Sequence, residues 1–153
     1  MKKVLGFEHP DTAISYNNIG SVYHSKGNYE NALEFLQKAL AIEEEVLGVE
    51  HPHTATSYNN IGSVYHDMGD YEKALEFYQK SLTIFEKVLG VEHPSTATSY
   101  NNIGWVYGRM GDYKKSLKFF QKALAIREKV LGKKHPDTVE TLQRIAELHK
   151  LMG

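Results

Sequence analysis

Imidazole holds metals and moves protons near neutral pH, so the eight histidines are the residues best suited to chemistry. Their spacing divides them. His9, His51, His93 and His135 each stand directly before a proline, 42 residues apart. A proline suits the first position of a helix, so these four are expected in the turns that start helices. His51 and His53 lie two residues apart, a spacing that does not bring both rings onto one helical face. His24 and His66 recur at one position of the period, but Gly108 takes the third place. No metal site is expected from this set, and nothing calls for a cofactor. The chain has no cysteine, which excludes disulfides, thiol catalysis and cysteine zinc sites. It has no phosphate-binding loop, nucleophile elbow or dinucleotide fingerprint, so no enzymatic activity is expected.

The second candidate set is made of amides. "SYNNIG" occupies Ser15–Gly20, Ser57–Gly62 and Ser99–Gly104 without change. Asparagine is a poor helix former, because its side chain competes for backbone hydrogen bonds. Its repetition inside a helical pattern therefore needs a reason. If Tyr58, Ile61 and Tyr65 face the core, then Thr56, Asn59, Ser63 and His66 form a stripe on another face. Asn60 lies one step round, towards an adjacent repeat. Stacked repeats would align Asn17, Asn59 and Asn101 in one ladder, and Asn18, Asn60 and Asn102 in a second. An amide donates and accepts, which suits the backbone of an extended peptide of any sequence. The first ladder is expected to bind peptide. The second is expected to serve either the groove or the joints between repeats. Trp105 replaces Ser21 and Ser63 on the same face. It reads equally as a ligand anchor or as a local fill against the neighbouring helix.

The elements that must position these residues follow from the period. Residues 51–92 and 93–134 share 29 of 42 positions, and self-similarity of this length marks stacked supersecondary units. Each unit reads as two helices. In the second, Pro52 opens the first helix and Gly69 closes it. Asp70 caps the next helix, which stops at Gly90. Tyr71, Ala74, Leu75, Tyr78, Leu82 and Phe85 form one apolar face, and Phe77, Ile84 and Val88 a second. Gly62 costs about 1 kcal/mol in mid-helix, tolerable where the partner helix passes close at Ala74. Gly20 with Ala32, and Gly104 with Ser116, are the equivalent pairs. The repeats run over 9–50, 51–92 and 93–134, with 135–153 a lone first helix acting as a cap. "KVLGFEHP" (3–10) matches "KVLGVEHP" (87–94) and reads as the tail of a preceding second helix. The chain is expected to be a segment of a longer array, natural or engineered.

In the order Tyr58, Ile61-Gly62, Tyr65, Gly69, Tyr71, Ala74, Tyr78, Ser81 the chain resembles the tetratricopeptide repeat family, with Tyr58 where tryptophan is usual. The ordinary repeat has about 34 residues. The longer unit, ending "EKVLGVEHP", is similar to the kinesin light chain type. The resemblance implies an all-α solenoid of stacked antiparallel helix pairs, a right-handed superhelix whose first helices line a concave groove. It implies a protein–protein interaction module, and asparagines that help hold cargo peptides. The ligand-binding groove would comprise Asn17, Asn59, Asn101, Asn18, Asn60, Asn102, Ser63, Trp105 and His66. The variant of the family that clamps two carboxylates needs basic residues where this chain has Asn17, Thr98 and Asn102, so that specificity is not expected.

Charge is nearly balanced overall, with a formal net of −1, and this argues against a dedicated nucleic-acid binder. Its distribution is uneven. Residues 1–50 carry four basic and eight acidic groups, 51–92 carry three and six, and 93–153 carry eleven and five. A head-to-tail attraction between copies is the alternative function this suggests: a structural array that self-associates through its ends. No apolar run is long enough to span a membrane, and a cytoplasmic protein is expected.

Overall fold

The computed structural model describes residues 9–153, and the helix tail expected over 3–8 lies outside the described residues. Among the described residues there are seven helices and no strand. They are α1 (Pro10–Ser25), α2 (Tyr29–Val46), α3 (Pro52–Met68), α4 (Tyr71–Val88), α5 (Pro94–Arg109), α6 (Tyr113–Val130) and α7 (Pro136–Met152). The chain divides into two compact units, Met1–Ile84 and Phe85–Gly153. Consecutive helices pack as pairs within each.

The helices begin and end where local chemistry requires it. Each first helix starts at the repeat proline, and the histidine before it is the cap. Nδ1 of His9, His51, His93 and His135 accepts the backbone N–H two residues on, at 3.0–3.1 Å. The histidines thereby satisfy one of the amide donors that a helix start leaves unpaired. Asp70 Oδ1 accepts from the Lys73 amide at 3.3 Å and caps α4 in the more usual way. Gly69 ends α3 with φ +86°, a left-handed conformation that a side chain would disfavour.

In the first unit the core gathers Ala32, Leu36, Ile61 and Val64, with Tyr23, Leu33, Tyr65 and Phe77 packed around it. The mid-helix glycines mark the closest approaches, as the sequence suggests. A Cβ on Gly62 would lie 2.8 Å from the Tyr78 ring and 3.3 Å from the Ala74 carbonyl. On Gly20 it would meet Leu36 at 2.8 Å and the Ala32 carbonyl at 3.2 Å. In the second unit Ala97, Ile103, Val106, Phe120, Ala123 and Leu148 are buried. There a Cβ on Gly104 would lie 3.1 Å from the Ser116 carbonyl. Val88, expected on the second apolar face of α4, is exposed, whereas Ile84 one turn earlier is buried.

Candidate functional site

Ser57 and Asn17 meet at the junction of α1, α2 and α3. The Asn17 amide nitrogen donates to Ser57 Oγ at 3.1 Å and, more weakly, to Glu43 Oε2 at 3.4 Å. Ser57 Oγ in turn donates to Glu43 Oε1. Glu43 is buried, at 3% exposure. Burial pushes its carboxyl above the usual 4.5, while Ser57, the charge of His53 and Asn17 pull the other way.

The equivalent junction of α5, α6 and α7 has the opposite polarity. Arg127 stands where the first unit has Glu43. Its Nη1 donates to Thr141 Oγ1 at 2.7 Å and to the Asp137 carbonyl at 3.2 Å, and its Nη2 to Thr98 Oγ1 at 3.4 Å. Burial holds this guanidinium below its usual pKa, opposed by Asp137 and Glu140. Thr141 Oγ1 donates to Asn101 Oδ1 at 3.2 Å. Asn17 donates into a carboxylate system, with its Oδ1 also 3.4 Å from Ser57 Oγ, and Asn101 accepts within a guanidinium system. One residue type serves both because it carries both ends.

Asn17 and Asn101, expected from sequence to bind peptide, each bond a hydroxyl of the next repeat, and Asn17 also lines a cleft. The reason is geometric: α3 and α7 each bring a hydroxyl within reach of the ladder that was expected to face outward. Asn18 is exposed and Asn60 half-buried, and among the described residues neither amide has a hydrogen-bond partner. Asn59 and Asn102 are half-buried. Ser63 exchanges a hydrogen bond with Tyr78 Oη at 2.9 Å, because a buried phenol needs a partner. His66 packs its ring on Tyr71, 5.6 Å between centroids.

Two clefts open beside these residues. The first, about 370 Å³, lies in the first unit on the face of α1 and α3. Asn17, Asn18, Asn60, Thr56, Glu43 and His53 contribute to its walls. The second, about 310 Å³, lies in the second unit, where Gly108 leaves room above Phe120 and Leu148. Trp105 forms part of its wall and is stacked by Arg144, whose guanidinium carbon is 3.4 Å from the ring centroid. Arg109 lies 5.7 Å from the same ring. Trp105 thus fills space against α7 and also borders a cavity. Glu43, Arg127 and Arg144 were absent from the sequence-derived site. The succession Glu43, Phe85, Arg127 at one repeat position was the signal that could have found the first two. Among the described residues no three His, Asp or Glu side chains gather as they would around a metal ion.

The profile of the tetratricopeptide repeat matches residues 11–87, 54–129 and 106–153. The chain belongs to the tetratricopeptide repeat family. Among solved structures, BtubC (BKLC) from P. vanneervenii is similar, with a TM-score of 0.84 and 28% identity over 93% of this chain. So are the nearly identical tetratricopeptide-like repeats of a putative kinesin light chain from Podosopora anserina, at TM-score 0.83 and 26% identity over 93% of this chain. The chain spans 57% of the BtubC chain and 67% of the fungal one. The N-terminal domain of stress-induced protein-1 from C. elegans shares the fold at 18% identity, with a TM-score of 0.67 over 92% of this chain and 96% of its own. No curated protein matches the chain in sequence. Tetratricopeptide repeats generally serve as protein-interaction modules. Among the described residues no helix is long and apolar enough to cross a membrane.

Proposed function

We propose that this chain is a non-catalytic recognition module that binds an extended peptide, or an extended segment of a protein, on the faces of its first helices. The observation that carries the reading is the cleft on α1 and α3. The Asn18 and Asn60 amides line it, and neither has a hydrogen-bond partner among the described residues. An amide held in that position keeps both its donor and its acceptor for a peptide backbone. The general role of the family as non-enzymatic scaffolds supports the same reading.

The test is selection from a random-peptide display library, followed by affinity measurement on the Asn18→Ala, Asn60→Ala double variant. Two lost hydrogen bonds at about 1 kcal/mol each should weaken the selected peptides by roughly thirtyfold, with no fall in melting temperature. Undiminished affinity in a folded double variant would move recognition away from this cleft.

A further inference from the structure

We infer that the cleft of the first unit is a subsite for a cationic side chain, the ammonium of a lysine or the guanidinium of an arginine. The inference rests on the peptide-binding reading and adds the chemistry of one position.

The first observation is a buried carboxyl group that no described lysine or arginine pairs. Glu43 is 3% exposed and forms part of the cleft wall. Its hydrogen-bond partners are the neutral groups of Ser57 and Asn17. Among the described residues no lysine or arginine pairs with it, and only His53 lends it a nearby positive charge. A buried charge is ordinarily paired, and this one borders open volume.

The second observation concerns the helix that carries it. Near its end α2 carries Glu43, Glu44 and Glu45, with no basic residue in its last turn. The carbonyl end of a helix already favours a cation, and the Glu43 carboxyl group lies in that turn. Glu44 is engaged by the Tyr58 hydroxyl at 2.6 Å. The corresponding turn of α6 holds Arg127 and Lys129.

The third observation is an internal contrast. Arg127 occupies in the second unit the repeat position of Glu43, and its guanidinium is bonded to Thr98, Thr141 and the Asp137 carbonyl. The repeat counterparts of those three residues are Ile14, Ser57 and His53. Ile14 and His53 border the cleft, and Ser57 bonds Glu43. Where the second unit supplies a cation from its own chain, the first presents a carboxylate and about 370 Å³ of space.

The test uses n-butylammonium as the isolated lysine head group, with n-butanol and butyrate as neutral and anionic controls. The readout on the full chain is the nuclear magnetic resonance shift of the Glu43 carboxyl carbon and of the Asn17, Asn18 and Asn60 amides. Saturable shifts are expected with n-butylammonium, at least about tenfold tighter than with n-butanol, as a charge-assisted hydrogen bond allows. They should vanish in Glu43→Gln, which keeps an acceptor for Ser57 and therefore the fold. Equal binding of butyrate, an unchanged response in Glu43→Gln, or no saturable shift each overturns the inference. Peptide selection separates it from the reading it rests on. Enriched peptides without a lysine or arginine preference remove the cation subsite and leave peptide binding standing. Saturable n-butylammonium binding with no enriched peptide supports the subsite and removes peptide binding.

Discussion

Adjacent asparagines in one hexapeptide do different work here, and single substitutions should separate them. Asn17→Ala removes a donor from the buried Ser57–Glu43 pair. A hydrogen bond of this kind contributes about 0.5–1.5 kcal/mol, which exceeds or offsets the roughly 0.5 kcal/mol that alanine gains in helix propensity. Asn18→Ala loses no described partner and keeps only the gain. Denaturant melts should therefore show Asn17→Ala neutral to destabilised and Asn18→Ala stabilised by about 0.5 kcal/mol. Equal effects at the two sites would contradict the assignment. Glu43 yields a second prediction, with a definite sign. Its folded pKa is raised, so the folded state holds the proton more tightly than the unfolded chain does. Between the ordinary 4.5 and the raised value, stability falls as pH rises. Glu43→Gln should accordingly be more stable than the parent at neutral pH. That advantage should shrink as pH falls through this window, and melts across a pH series would show it. A constant difference at every pH would mean that the carboxyl does not titrate differently on folding.

At the scale of the helix, the tightest constraint is the crossing at Gly62. A leucine there would drive its side chain into the Tyr78 ring and the Ala74 carbonyl, one of them backbone and the other almost fully buried. Gly62→Leu should cost about 1–3 kcal/mol or more, read as a lower melting temperature. An unchanged melting temperature would mean that the crossing is looser than its distances indicate. These contacts, the helix starts and the helix ends were legible in the sequence. Proline, glycine and the capping aspartate act locally and leave their mark on the residues beside them. The candidate site was less legible. Asn17 and Asn18 differ by a single step of about 100° around the helix. Which of them reaches the next repeat depends on how the helices cross, and no periodicity in one helix contains that angle. Glu43 was hidden differently. It opens a run of three glutamates, and such a run reads as a solvated face unless the following helix is known to cover its first member.

For the molecule as a whole, the tyrosines report on packing. Tyr58, Tyr78 and Tyr100 are each pushed from 10 up to about 12, chiefly by burial. The Tyr58 and Tyr100 hydroxyls also donate to Glu44 and Glu86, which favours the neutral phenol further. A raised folded pKa in an acidic group means stability that is present below the unfolded value and lost above it. In a spectrophotometric titration, the phenolates of these three tyrosines should form in a late stage, above the ordinary 10. Unfolding should accompany that stage, between about pH 10 and about pH 12. A single stage near 10 would deny their burial. The turns carry a different consequence. Positive-φ glycines recur from Gly27 to Gly153 at intervals of 21 residues, so both halves of a repeat use the same length of chain. Length is thereby quantised. Inserting one residue into a helix rotates everything after it by about 100° and sets its apolar face against solvent. Copying or deleting a block of 42 residues returns each later helix to its original phase. Recombination between the closely matching repeats of such a gene would change the number of recognition surfaces in whole steps, with no intermediate that has to fold out of register.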